Sequence, residues 1–177
     1  VLSLVILNSP HERSPEAQAL VEKRAVDTEG GGPGATIDET LARWFTPAFL
    51  TERPDVVAVI RDWVLANDPQ SYAACRAVLA HGVRELIRPE PAITHPALVV
   101  TCENDSGSTP AMSHAIAREI TGAQVEIIPH LQHLGLIENP DLFTASILRF
   151  IEGLIPDCQP NHSPANVSKE KSHGQEC

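Results

Sequence analysis

Residues 125–143, VEIIPHLQHLGLIENPDLF, carry the first clear architectural signal in this chain. A short run rich in β-branched residues ends at Pro129, two histidines follow, and helical periodicity resumes after Asn139. β-Branched residues favour strands, and Asn-Pro favours a turn from which a helix can start. His130 and His133 therefore lie just past a strand, on the loop that enters an amphipathic helix over 140–154. At such a place a rigid sheet presents an imidazole to solvent, a position suited to catalysis.

The same alternation extends upstream. ALVVT (97–101) reads as a buried strand, CENDSGSTP (102–110) as a polar loop, residues 110–120 as a helix capped by Thr109, and QVEII (124–128) as the next strand. The closing helix over 140–154 is expected to bury Leu142, Phe143, Ile147, Phe150, Ile151 and Leu154 along one stripe. Strand, helix, strand, helix with short connections implies an α/β fold with a parallel sheet. Functional groups of such sheets gather at the carboxyl ends of strands, and Asp105 and His133 occupy two such ends. They are 28 residues apart, enough for one helix and one strand, so neighbouring strands would bring them together. A carboxylate bonded to one ring nitrogen fixes the tautomer and leaves the other nitrogen free to take a proton from a nucleophile. His130 is the rival base. A metal site from His130, His133 and Asp105 is not expected, because the H-x-x-H spacing falls on a loop.

VLSLVILNSP (1–10) has no initiator Met and no secretory pattern, and it opens on an apolar run of strand length. It reads as a strand buried in a parallel sheet, with a neighbouring strand expected upstream of Val1. Residues 11–88 change to helices: one over 15–25, one opened by a capping box at Thr36 and Glu39 and ending near Trp44, and others over 54–66 and 69–81. Asp68 is the expected N-cap and Gly82 the terminator of the last of these. GGGPG (30–34) has no strand before it, so a flexible linker is expected there rather than a phosphate cradle. Trp44, Phe45, Phe49, Trp63 and Tyr72 concentrate in this region and mainly fill gaps between helices. Trp44 first and Phe45 second are the candidates to line a substrate pocket beneath the helices.

Composition excludes several classes. The chain has 177 residues, 42% of them hydrophobic, which suits one domain with a real core. Lys+Arg number 13 against 23 Asp+Glu, and the net charge of −10 repels phosphate backbones and anionic lipid, so nucleic acid is not an expected partner. No apolar run approaches the roughly 20 residues that span a bilayer, and a soluble chain without a membrane partner is expected. Cys75, Cys102, Cys158 and Cys177 form no C-x-x-C pair, which leaves small core thiols and a reducing, cytoplasmic compartment as the expectation. Sequons at Asn104, Asn161 and Asn166 carry little weight without a secretory signal. The polar tail over 156–177, with Cys158 and Cys177 as free thiols, is expected to be disordered.

PALVVTCENDSGSTPAMSHAIAREITGAQVEIIPHLQHLGLIENPDLFTASILRFI (96–151) resembles the C-terminal end of α/β-hydrolase fold enzymes, and VLSLVILNSP resembles the strand after their nucleophile helix. RWFTPAFLTERPDVVAVIRDWVLANDPQSYAACRAVLA (43–80) resembles the helical cap of 3-oxoadipate enol-lactonases. The resemblance implies a core strand at 1–10, an inserted cap at 11–88 and a C-terminal core at 89–155. It makes Asp105 the orienting acid and His133 the general base of an enzyme cleaving a small-molecule ester or lactone without metal or organic cofactor. Two positions depart from the pattern: Cys102 stands where the family has glycine, and His130 where it has a small, flexible residue. No G-x-S-x-G occurs, and Ser106 and Ser108 lack the strand–turn–helix setting of a nucleophile. The expectation is thus acid and base without nucleophile or oxyanion hole, and negligible turnover by this chain alone. The alternative is a noncatalytic, truncated hydrolase-like protein that acts through protein interaction, with its exposed first strand open to self-association.

Overall fold

The computed structural model describes residues 1–154. The tail expected over 156–177, with Cys158, Cys177, Asn161 and Asn166, lies outside the described residues. Three strands, β1 (Leu4–Leu7), β2 (Ala97–Cys102) and β3 (Gln124–Ile128), form a parallel sheet in the order β1-β2-β3. The register sets Val5 against Leu98 and Leu7 against Val100, and sets Cys102 against Ile128.

Side chains alternate across a strand, so this register sorts the sheet into two faces. Leu98, Val100 and Cys102, with Val5 and Leu7 beside them, pack on Phe143 and Phe150 of the last helix, α9 in chain order (Pro140–Leu154). On the opposite face Ile6 borders a cavity with Ile116 and Ile120, the latter two from α7 (Pro110–Glu119) and the residue that ends it. β2 is buried along its whole length, which is why it reads as a continuous apolar run. α9 buries a narrower stripe than expected: Phe143, Ser146 and Phe150 are covered, whereas Leu142, Ile151 and Leu154 are exposed.

Between β1 and β2 the chain builds a helical layer. Helix α1 (Pro15–Gly31) leads through a 3-10 turn (Gly32–Thr36) into α2 (Ile37–Trp44). Then come α3 (Pro47–Glu52), α4 (Pro54–Leu65), α5 (Pro69–His81) and the single turn α6 (Val83–Leu86). Ser14, Thr46 and Asp68 each accept a backbone N–H at an N-cap directly before proline, the position where proline's missing N–H is harmless. Ile37, Leu41, Phe45, Ile60 and Val64 form the core of this layer, and Leu134 and Ile137 from the histidine loop close it from below.

Two local expectations are corrected. Gly32 and Pro33 are buried, and GGGPG is a packed corner: Gly32, at φ 60, ends α1 by donating to Thr28 O, and a Cβ there would stand 3.0 Å from Pro69. Glycine is needed for left-handed backbone and close approach, not for flexibility. Thr36 makes no capping bond, because α2 follows directly from the 3-10 turn and leaves Thr36 at ψ 10 rather than the extended value an N-cap requires.

Candidate active site

Each strand ends in a polar residue at the same edge of the sheet. Asn8 follows β1, Asp105 follows β2 and His133 follows β3, with the single turn α8 (Gly135–Glu138) just beyond the histidine. Asp105 sits at the centre. Its Oδ2 accepts from His133 Nδ1 at 2.7 Å and from Asn8 Nδ2 at 3.0 Å, while Oδ1 accepts from the amides of Gly107 at 2.8 Å and Ser108 at 2.9 Å. Thr101 Oγ1 donates to Ser108 O at 2.7 Å and closes the acid loop on the sheet.

The carboxylate side chain is fully buried, and the imidazole keeps 31% of its side-chain surface exposed. Burial of Asp105 favours its neutral form, but the bonds from His133, Asn8 and Ser108 and the adjacent imidazole outweigh burial and hold the group below the usual carboxylate range. An ionised Asp105 that accepts from Nδ1–H fixes the ring's tautomer and leaves Nε2 without a hydrogen-bond partner among the described residues, in a histidine that lines a cavity of about 240 Å³. Asp105, His133, Trp44, Ser106 and Ser108 all line that cavity.

The helical layer is tied to the histidine loop. Leu134 N donates to Trp44 O at 2.8 Å, and Glu138 accepts from Thr46 N at 2.8 Å and Thr46 Oγ1 at 2.6 Å. These bonds hold the Trp44 ring 6.4 Å from the His133 ring.

No family model matches the chain. 3-Oxoadipate enol-lactonase 2 of Acinetobacter baylyi is 27% identical over 145 residues, 81% of this chain and 52% of that protein. The enol-lactonase of Burkholderia xenovorans LB400 superposes with a TM-score of 0.74 at 30% identity, over 86% of this chain and 56% of that one. The chain has the α/β-hydrolase fold. A thermophilic esterase from Thermogutta terrifontis also matches, with a TM-score of 0.69, 27% identity and 86% and 56% coverage. The chain spans about half the length of these relatives.

Within this hydrolase fold the sequence candidates separate. Asp105, His133 and Trp44 come together at one cavity. Phe45 does not: it is 0% exposed, stacks on Phe49 and belongs to the core of the helical layer, because α2 ends at Trp44 and the backbone turns extended at Phe45 (φ −121, ψ 148), carrying its ring away from the cavity that Trp44 lines. His130 turns away from the carboxylate, with its side chain 90% exposed beside Glu103, and among the described residues no group of three or more metal-binding side chains gathers. His130 also holds a left-handed φ of 64, a backbone conformation that costs less for a residue without a Cβ.

Cys102, the departure from glycine, shows no left-handed backbone and simply ends β2, so its side chain is accommodated without backbone strain. Burial pushes its thiol up to about 11, which keeps it protonated and inert at neutral pH. A steric demand for glycine lies at Gly135, where a Cβ would meet Cys102 Sγ at 2.5 Å and Leu131 Cβ at 2.9 Å.

Sequence reasoning missed Asn8, although the carboxyl-end rule that found Asp105 and His133 applies equally to the residue after β1. It also missed Arg13, Arg24, Arg43 and Arg76, which line the same cavity from separate segments and share no periodic spacing.

Proposed function

We propose that these residues are the acid–base part of a serine hydrolase acting on a carboxylic ester or lactone, with the nucleophile supplied by polypeptide outside this sequence. The observation that carries the reading is the 2.7 Å bond from His133 Nδ1 to a buried, fully bonded Asp105, in a histidine that lines a cavity. The enol-lactonase and esterase relatives support the substrate class, and the absence of G-x-S-x-G in a chain half their length supports an external nucleophile.

In this reading the serine hydroxyl attacks the acyl carbon while His133 Nε2 takes its proton. The ring returns that proton to the leaving alkoxide as the C–O bond breaks. Water then attacks the acyl-enzyme with His133 again as base, and the acid and the free serine are released. Asp105 stays ionised throughout and stabilises the imidazolium. Asn8 and the amides of Gly107 and Ser108 keep it in place.

The test uses a longer polypeptide that contains this sequence, assayed on short p-nitrophenyl esters and simple lactones. His133→Ala is expected to lower kcat on the order of a millionfold, as loss of the base does in comparable triads. The 177-residue chain alone should take no label from a fluorophosphonate probe. Ordinary turnover by the His133 variant, or labelling of the short chain, would overturn the assignment.

A second reading rests on β1, which is an edge of the described sheet with Val1 and Leu2 about nine-tenths exposed. Such an edge offers unpaired backbone to a second copy or another protein. Sedimentation of the purified chain as a monomer at high concentration counts against it. A cytoplasmic site of action belongs to the same proposal and is supported by the free thiols of Cys75 and Cys102.

A further inference from the structure

Residues 14–86 form the helical layer, and 97–154 carry Asp105, His133 and two of the three strands behind them. What joins these two parts decides what stands over the imidazole. Leu134 N donates to Trp44 O at 2.8 Å, Thr46 N to Glu138 Oε1 at 2.8 Å, and Thr46 Oγ1 to Glu138 Oε2 at 2.6 Å. Among the described residues no other hydrogen bond or ion pair crosses between the two parts, so α1 and α5, which also line the cavity, have no polar tie to the sheet there. The polar attachment falls at one corner, where α2 ends and α3 begins.

That corner is built from stiff pieces on both sides. Thr46 is the N-cap of α3: its Oγ1 accepts from Phe49 N at 3.2 Å, while its single hydroxyl proton goes to Glu138. Glu138 ends the turn α8, in which Leu134 O accepts from Ile137 N at 2.8 Å and from Glu138 N at 3.3 Å. Leu134 follows His133 directly and Trp44 ends α2, so the joint carries the imidazole on one side and the indole on the other. Phe45, fully buried between the two sets of bonds, shares a core with Leu134 and Ile137 and leaves the joint no slack. Thr46 and Glu138 are half-buried, and an ionised carboxylate that accepts twice from one residue makes a strong, directional tie.

We propose that Glu138 is a positioning residue: by holding Thr46 it fixes how closely Trp44 stands over His133, and with that the space in which a substrate meets the base. Glu138 itself does not line the cavity. The inference rests on the hydrolase reading for its chemical meaning. Proton transfer to His133 during attack on an acyl carbon depends on closely held atoms, and a displacement of about 1 Å at such a centre can cost about a hundredfold in rate. A freed corner therefore acts on kcat more than on KM, because the other walls of the cavity remain.

The 177-residue chain has two tryptophans, and Trp63 is 68% exposed, so W63F leaves Trp44 as the only indole. In that background acrylamide is expected to quench Trp44 more strongly in E138A than in the parent, and T46S, which keeps both donors, should match the parent. E138Q keeps the shape and one acceptor oxygen, so it should fall between them, and it serves where E138A fails to fold. D68A is the control: it removes the exposed N-cap bond of α5 to Ser71 N, lowers stability and should leave Trp44 quenching unchanged. In a longer polypeptide that contains this sequence, E138A should lower kcat on short p-nitrophenyl esters about tenfold or more with a smaller change in KM, and T46S should stay near the native value. Trp44 quenching unchanged in both Glu138 variants, or a kcat loss in D68A equal to that in E138A, would overturn the proposal. Should His133→Ala leave the longer polypeptide active, the hydrolase reading falls, and the quenching measurement still decides whether Glu138 positions Trp44.

Discussion

Replacement of Asp105 by Asn tests the centre of the site as structure before any activity is measured. Asp105 faces four close donors: His133 Nδ1, Asn8 Nδ2, and the amides of Gly107 and Ser108. Asn keeps the shape but has one acceptor oxygen, and its NH₂ group must then point at two of those donors. If the oxygen stays with the Gly107 and Ser108 amides, the bonds to His133 and Asn8 are lost. If it turns, the amides lose theirs. Either way two bonds to a charged acceptor disappear, each worth about 1.5–3 kcal/mol, so the expected loss is about 3–5 kcal/mol after partial rescue by water at the exposed edge. Urea unfolding followed by the fluorescence of Trp44 and Trp63 measures it. Ser106→Ala, on an exposed residue of the same loop, is the control and should stay within about 0.5 kcal/mol. A loss below about 1 kcal/mol for Asp105→Asn, with the control unchanged, would mean that the carboxylate is not the organising acceptor of these three loops.

The acid side of the stability profile gives a further prediction. Because the folded-state pKa of Asp105 is depressed, its contribution is fully present above the ordinary carboxylate pKa of about 3.9 and is lost as pH falls through the lower folded value. The stability difference between the native sequence and Asp105→Asn should therefore hold constant from pH 7 to about 5 and shrink below about 4. A difference that grows toward acid would give Asp105 the opposite sign. At the turn after the histidine, Gly135→Ala should destabilise by about 1–3 kcal/mol through collision with Cys102 Sγ and Leu131 Cβ. Adding Cys102→Ala should return part of that loss, so the double variant is less damaged than the sum of the singles. Strict additivity in the unfolding free energies would show that the sulfur is not what requires glycine at 135.

Strand and helix identity was readable because local patterns and long-range packing agree here. β2 is apolar on both faces and is covered on both faces. Helices that begin at Pro15, Pro54, Pro69, Pro110 and Pro140 announce themselves because proline suits the first helical turn. The Asp105–His133 pair was readable for the same reason: in a parallel sheet, strand ends fall at one edge, so sequence order alone limits where those side chains can meet. GGGPG and Thr36 misled because glycine and threonine carry the same letters in a mobile loop, a tight packed corner, a capping box and an idle hydroxyl.

What the sequence could not specify depends on direction and on distant neighbours. Trp44 and Phe45 are adjacent and chemically similar, yet one reaches the cavity and the other is sealed in the core, a choice made where α2 ends, with Trp44 helical and Phe45 extended and packed among the helices. The arginines at 13, 24, 43 and 76 are unremarkable on their own segments, and their gathering emerges only when the helices are assembled around one space. Local propensity and periodicity fix which residues form elements and which end each strand. The facing of side chains, and the charge left unbalanced between them, are set by packing across long sequence separations that no local pattern records.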